Sequence, residues 1–315
     1  MSGIIYDYVV VGAGLYGLRM ARNISKKFNL AKILLIESSS LAKSINLSKN
    51  YYSVENGINC KVDSEIFETI TSGNKSLKEL CIENNLYNET KGEIIAANEE
   101  KDKKILKSFM DSQDIVKINK ISNEAAHILD SSIKTNLNNF DFYHLEETFI
   151  VDFNQIKSFL FEEVRNNENI HIKFENELKQ VKKSDDCLEI YIEDKSNLSQ
   201  KISENMYKAK FLINTAGVKG LDIAHMCNCF WSYLSCSYRE FYFYFVGNKS
   251  PSQIISSTPY LFHSGLKMIP VTINNKQKTI FGPRLKFVSS EKGFWKKCQL
   301  YYKFFKACMI LKNLK

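Results

Sequence analysis

The chain has 315 residues, 44% of them hydrophobic and 25% charged, a balance that supports one large core or two moderate ones and excludes a disordered chain. No run is long and apolar enough to cross a bilayer, and Asp7 and Gly12 interrupt any leader-like pattern at the start, so neither a membrane span nor a signal peptide is expected and the protein reads as cytoplasmic. The net charge of +8 suits an anionic substrate, nucleic acid or an acidic membrane surface.

The first element predicted is a strand, Val9-Val10-Val11, that breaks on glycine and passes into a helix-like segment. In Gly12-Ala13-Gly14-Leu15-Tyr16-Gly17, Gly12 permits a tight turn and Gly14 lets the backbone press against a pyrophosphate. Gly17 lets the helix lie close to the sheet, while the helix N-terminus aims unpaired N–H groups at the anion. A second strand, Ile33-Leu34-Leu35-Ile36, ends on Glu37, twenty residues beyond Gly17. A carboxylate there can accept both hydroxyls of an adenosine ribose. Strand, turn, helix and acid in this order read as a dinucleotide site, and the loop alone does not separate NAD from FAD.

Residues 38–57 read as a polar loop, followed by helices over 64–71 and 76–84 with a break at Gly73 and Asn74. A short strand is predicted over 92–97, a charged helix over 99–110 and helix-like polarity over 118–129. Asp152 is placed to cap a helix carrying Ile156, Phe159, Leu160 and Val164 on one face. Strands follow over 170–174, 177–182 and 188–192, the last two as a hairpin around Ser184-Asp185-Asp186. A buried strand over 209–217 ends in the small residues Ala216 and Gly217, which let a ligand approach the backbone. An aromatic strand covers 237–246, a broken segment 254–270, and a final strand Ile280-Phe281-Gly282-Pro283-Arg284. From Gly293 on, Phe294, Cys298, Tyr301, Phe305 and Met309 recur at helical spacing among lysines. This stripe suits either peripheral contact with an anionic membrane or packing on the domain.

The eight cysteines form no CxxC pair, which argues against a zinc ribbon, and Cys227 and Cys229 lack a second ligand pair; free thiols and no metal site are expected. No G-x-S-x-G element is present. As a candidate general base, His263 has the residue type whose proton affinity lies near neutrality. Arg239 and Arg284, on predicted strands, are candidates for pairing an acidic small-molecule substrate. No nucleic-acid partner is expected, and the oligomeric state is left open.

These pieces in this order resemble the FAD-dependent oxidoreductases of the D-amino-acid-oxidase-like superfamily. Residues 12–17 match that family's FAD pyrophosphate loop and Glu37 its ribose-binding acid. Val151-Asp152 is similar to the point where the chain returns to the FAD domain, and Phe211–Gly217 to the strand that closes over the cofactor, which argues against NAD. Within the superfamily, Gly92–Glu100, Arg239-Glu240-Phe241-Tyr242 and Phe281–Arg284 are similar to segments of L-2-hydroxyglutarate dehydrogenase/oxidase. The resemblance implies an α/β fold, α+β overall, with a Rossmann-like FAD-binding domain and a mixed-sheet substrate domain. It divides the chain into FAD-binding parts at 1–84 and 148–225, substrate parts at 85–147 and 226–290, and a basic amphipathic helix at 291–315. It implies FAD contacts from Gly12, Ala13, Gly14, Leu15, Tyr16, Gly17, Glu37, Ser38, Ser48, Leu178, Ala216 and Gly217. The implied activity is oxidation of a 2-hydroxy acid or related amino acid by hydride transfer to flavin N5. The loop after Glu37 keeps Asn46, Ser48 and the Tyr51-Tyr52 pair but not the family's histidine, and the resemblance implies a further C-terminal flavin-contacting segment that would follow Lys315. The alternative reading is therefore a truncated FAD- or ADP-binding homologue without turnover.

Overall fold

The computed structural model describes residues 4–41, 51–54, 56–58, 60, 64–111, 117–196, 204–229, 238–245, 250–258, 266–273 and 276–287. Ser48, His263 and the basic C-terminal stripe lie outside them. Among the described residues no helix is long and apolar enough to cross a membrane.

Strand β1 (Ile5–Val11) runs through the glycine turn into α1 (Leu15–Lys27), and β2 (Ile33–Ile36) is buried along its whole length. The stretch expected to be loop holds a short strand, β3 (Tyr51–Ser53), which pairs with the distant segment Ile150–Asp152. Helix α2 (Glu65–Glu83) is continuous where two helices were expected. Ser64 caps it by accepting from the Phe67 N–H at 3.2 Å, and Gly73 passes mid-helix in open space. A mid-helix glycine costs about 1 kcal/mol relative to alanine, and burial of Phe67, Leu80 and Cys81 on the same helix outweighs it.

Strands β4 (Asn88–Thr90) and β5 (Glu93–Ala97) and helix α3 (Glu100–Met110) follow. The helix-like stretch 118–129 divides into β6 (Ile118–Ile121) and α4 (Asn123–Leu129). The divider is Ser122, whose hydroxyl accepts from the Ala125 N–H at 3.1 Å and so starts the helix there. After β7 (Asp141–Leu145) and β8 (Phe149–Asp152), Asp152 caps α5 (Phe153–Arg165), accepting from the N–H groups of Asn154 and Gln155 at 3.1 and 3.4 Å. Strands β9 (Ile170–Lys173), β10 (Asn176–Lys183), β11 (Leu188–Asp194) and β12 (Glu204–Asn214) lead to a 3₁₀ turn (Gly217–Lys219) and α6 (Gly220–Met226). The chain then forms β13 (Tyr238–Phe245), β14 (Ile254–Ser257), β15 (Lys267–Ile273) and β16 (Lys276–Phe287).

Among the described residues three sheets result. The first has the order β10-β11-β12-β1-β2-β9, with β12, β1, β2 and β9 parallel and β10-β11-β12 antiparallel. Strands covered on both faces must be apolar on both faces, and β2 shows it. Ile33 and Leu35 pack with Leu18, Ala21, Ile156, Leu160 and Val164 beneath α1 and α5. Leu34 and Ile36 face the other way, with Val9, Val11, Leu178, Ile190 and Ile223. The second sheet, β13-β16-β15-β14-β5-β7-β6, is mixed: β14 and β5 are parallel and the other pairs antiparallel. Architecture is thus α/β with a second mixed sheet, as the sequence implies.

The third sheet, β3-β8-β4, lies between the other two in the chain's connectivity and packs Tyr51 and Ile150 against Ile254, Ile269, Val271 and Ile280 of the mixed sheet. A buried ion pair within the mixed sheet is tied across the same junction by hydrogen bonds. Lys267 Nζ of β15 is 3.2 Å from Glu93 Oε1 of β5, and both side chains are 5% exposed. The ammonium also donates to Ser53 Oγ at 3.3 Å, and Thr148 Oγ1 donates to Glu93 Oε2 at 3.3 Å. Asn56 Nδ2 in turn donates to Thr148 Oγ1 at 2.6 Å.

Candidate functional site

The turn between β1 and α1 is fixed by its glycines and by Thr215. Gly12 has φ +103°, and a Cβ there would sit 2.6 Å from the Thr215 carbonyl oxygen, so both conformation and space demand glycine. Gly12 N–H donates to the Ile36 carbonyl at 2.8 Å, tying the turn to the end of β2. The Thr215 hydroxyl donates to the carbonyls of Val11 at 2.8 Å and Gly12 at 3.1 Å, so the end of β12 clasps the start of the loop. A Cβ on Gly17 would fall 1.8 Å from the Gly12 carbonyl oxygen, so α1 can cross the turn only without a side chain at that position.

Gly14 is different. A Cβ there would meet nothing within 4 Å, so its bareness serves nothing inside the chain and leaves room for a ligand at the backbone. It is the N-cap of α1, which has no side-chain cap and no acid in its first turn, leaving the positive end of the helix uncompensated. Ala13 is buried, and its N–H donates to Glu37 Oε2 at 2.8 Å; the Ser39 N–H donates to Glu37 Oε1 at 2.8 Å. Two backbone donors therefore hold the Glu37 carboxylate at the end of β2, each oxygen keeping a lone pair for a further donor.

Next to the turn is a cleft of about 340 Å³ at the carboxyl ends of β1 and β2. It is lined by Gly12, Gly14, Glu37, Ser38, Leu178, Ala216 and Gly217, which the sequence proposes, drawn from four separated segments. Ala13, Leu15, Tyr16 and Gly17 do not line it; Leu15, Tyr16 and Gly17 form the first turn of α1, where Tyr16 is 80% exposed. The cleft adds residues that the sequence reading misses: Asn176, Glu177, Thr215, Lys219, Asp222, Ile223 and Met226. Thr215 adjoins the small-residue strand end and was legible from it. Asp222, Ile223 and Met226 belong to α6, a helix of seven residues too short to declare itself by periodicity.

Charge at the cleft rim centres on Glu177, which pairs with Lys219 at 2.6 Å, with Lys179 at 2.9 Å and with Lys195. Burial works against its ionisation, yet hydrogen bonds from Lys195, Lys219 and Lys179 hold the carboxyl well below the usual carboxylate range. A folded-state value below the unfolded one means stability that is present above about pH 4 and is lost as pH falls toward the folded value. Glu177→Gln is therefore expected to reduce the loss of urea midpoint between roughly pH 5 and pH 3. An unchanged acid limb in the variant would show that the three lysines contribute nothing through this group.

Of the candidate catalytic residues, His263 lies outside the described residues. Arg239 and Arg284 lie on adjacent antiparallel strands of the mixed sheet, Arg239 across from Lys286 and Arg284 across from Phe241. They are thus close in register on β13 and β16, in a different sheet from the strands that line the cleft.

No family model matches the chain, and no curated protein sequence matches it. Solved structures do. The dithionite-reduced L-α-glycerophosphate oxidase from Mycoplasma pneumoniae with FAD bound superimposes with a TM-score of 0.73 at 16% identity, covering 92% of this chain and 74% of that one. Glycine oxidase from Geobacillus kaustophilus gives a TM-score of 0.68 at 11% identity, over 91% and 73%. L-proline dehydrogenase from P. horikoshii gives 0.68 at 12% identity, over 99% and 79%. At these identities the likeness is one of fold.

Proposed function

We propose that the chain is an FAD-dependent oxidoreductase acting on a small acidic substrate with a C–H bond beside a hydroxyl or amine, a 2-hydroxy acid or a related amino acid. The observation that carries the proposal is the cleft itself. It joins an uncompensated helix start, a glycine with open space at its Cβ position and a backbone-held carboxylate, the combination that an adenosine diphosphate group requires. The names of the fold's neighbours support FAD as the dinucleotide.

The residues would divide the work as follows. The α1 N-terminus and Gly14 would hold the diphosphate, and Glu37 would accept from the ribose hydroxyls with the lone pairs left by Ala13 and Ser39. Leu178, Ile223 and Met226 supply apolar surface for the adenine. When bound, the flavin supplies a two-electron acceptor that takes hydride at N5. Arg239 and Arg284 would pair with substrate carboxylates, and His263 would accept the hydroxyl or amine proton.

A visible spectrum of the purified chain tests the proposal. The expected result is a flavin absorbance close to stoichiometric with protein, present on isolation or after incubation with FAD, and bleached anaerobically by the right hydroxy or amino acid. A colourless protein that takes up no added FAD would overturn it.

A further inference from the structure

We propose a second ligand site, for a small soluble phosphomonoester, in a cavity that shares no residue with the dinucleotide cleft. The cavity measures about 510 Å³, within the range of roughly 300–1,000 Å³ usual for small-molecule sites. It lies between one face of α2 and the β7–β8 turn.

Three ammonium groups line it: Lys75 and Lys78 from α2, and Lys117 from just before β6. None of the three is ion-paired among the described residues, while lysines elsewhere pair readily, as Lys120 does with Asp141 and Lys179 with Glu193. Lys75 and Lys78 stand three residues apart, the spacing at which like charges on a helix repel each other. Lys78 Nζ is also set at 5.6 Å from the Phe149 ring centroid, which fixes it at the cavity wall. A dianion would pair with these ammonium groups and offset the repulsion between Lys75 and Lys78, and a phosphomonoester brings that charge on a compact group.

The rest of the lining suits the organic part of such a ligand. Glu147 and the oxygen of Thr71, whose hydroxyl donates back into α2, can accept from hydroxyls, and Phe149 offers an apolar face. Among the described lining residues the three lysines face one carboxylate, Glu147. The back wall is not inert: Thr148 and Asn56 line the cavity and belong to the hydrogen-bonded chain that ends on the buried Glu93–Lys267 pair. This proposal does not depend on flavin binding.

The test is protection of lysines from acetylation, read by mass spectrometry, with glucose 6-phosphate as the probe and glucose as its uncharged partner. Glucose 6-phosphate is expected to slow modification of Lys75, Lys78 and Lys117 by roughly fivefold and to leave Lys219 at the other cleft unaffected, with glucose protecting none. In calorimetry, Lys75→Gln with Lys117→Gln, both surface changes, is expected to weaken glucose 6-phosphate binding by roughly tenfold or more, and the matching arginine pair to retain it. Dioctanoyl phosphatidic acid presents the same phosphate on a lipid frame, and protection by it alone would overturn the soluble-ligand proposal. Equal protection by glucose, protection at Lys219 instead, undiminished affinity in the glutamine variant, or no binding of glucose 6-phosphate at all would each overturn it as well.

Discussion

Gly17→Ala is expected to abolish the native fold, the largest effect we predict for any single methyl group in this chain. The added carbon would lie 1.8 Å from the Gly12 carbonyl oxygen and 2.8 Å from Thr215 Oγ1. The first neighbour is backbone and cannot swing aside, so α1 would have to lift from the turn. That movement would unseat Leu18 and Ala21, buried between α1 and the sheet. A loss of more than about 4 kcal/mol belongs to this mechanism, enough to consume much of a domain's stability. Gly14→Val is the contrasting case. Its Cβ would meet open space, so the protein should fold with a near-normal urea midpoint and take up no FAD, because the isopropyl group occupies the place proposed for the diphosphate. A wild-type midpoint in Gly17→Ala, or normal flavin content in Gly14→Val, would show the turn to be looser than its geometry.

The second large effect is expected at the buried ion pair. Lys267→Met leaves the Glu93 carboxylate 5% exposed with its counterion gone, and should cost about 3–5 kcal/mol in urea unfolding. The double change Glu93→Gln with Lys267→Met removes the stranded charge and keeps an acceptor for the Thr148 hydroxyl, so most of that loss should return. If the double variant is no better than the single one, the penalty comes from lost packing of the lysine stem and not from charge.

The difference between what could be read in the sequence and what could not follows the range of the interactions. The β1–α1–β2 unit was legible because its signals are local: an apolar run, three glycines and an acid at fixed spacing. The capped helix after Asp152 was legible for the same reason. Strand β3 was not, since three residues are too few to show a period and their partners Asp152, Val151 and Ile150 lie far along the chain. Gly73 misled in the opposite direction: a local breaker was overruled by apolar residues on either side of it. At the cleft, the residues contributed by glycine turns and strand ends could be named in advance, whereas Glu177 and its lysines could not. Nothing in the linear order of Lys179, Lys195 and Lys219 reveals that they meet on one carboxylate.

The interleaving of the sheets sets a timetable for synthesis. Strand β2 gains its neighbour β9 only when the ribosome has added about 130 further residues, on the order of ten seconds of translation, and β1 waits longer still for β12. During that interval Val9, Val10, Leu34 and Leu35 lack part of the packing that buries them in the finished protein. A nascent chain in this state is a natural client for a chaperone, and fragments ending before β9 should aggregate when expressed alone.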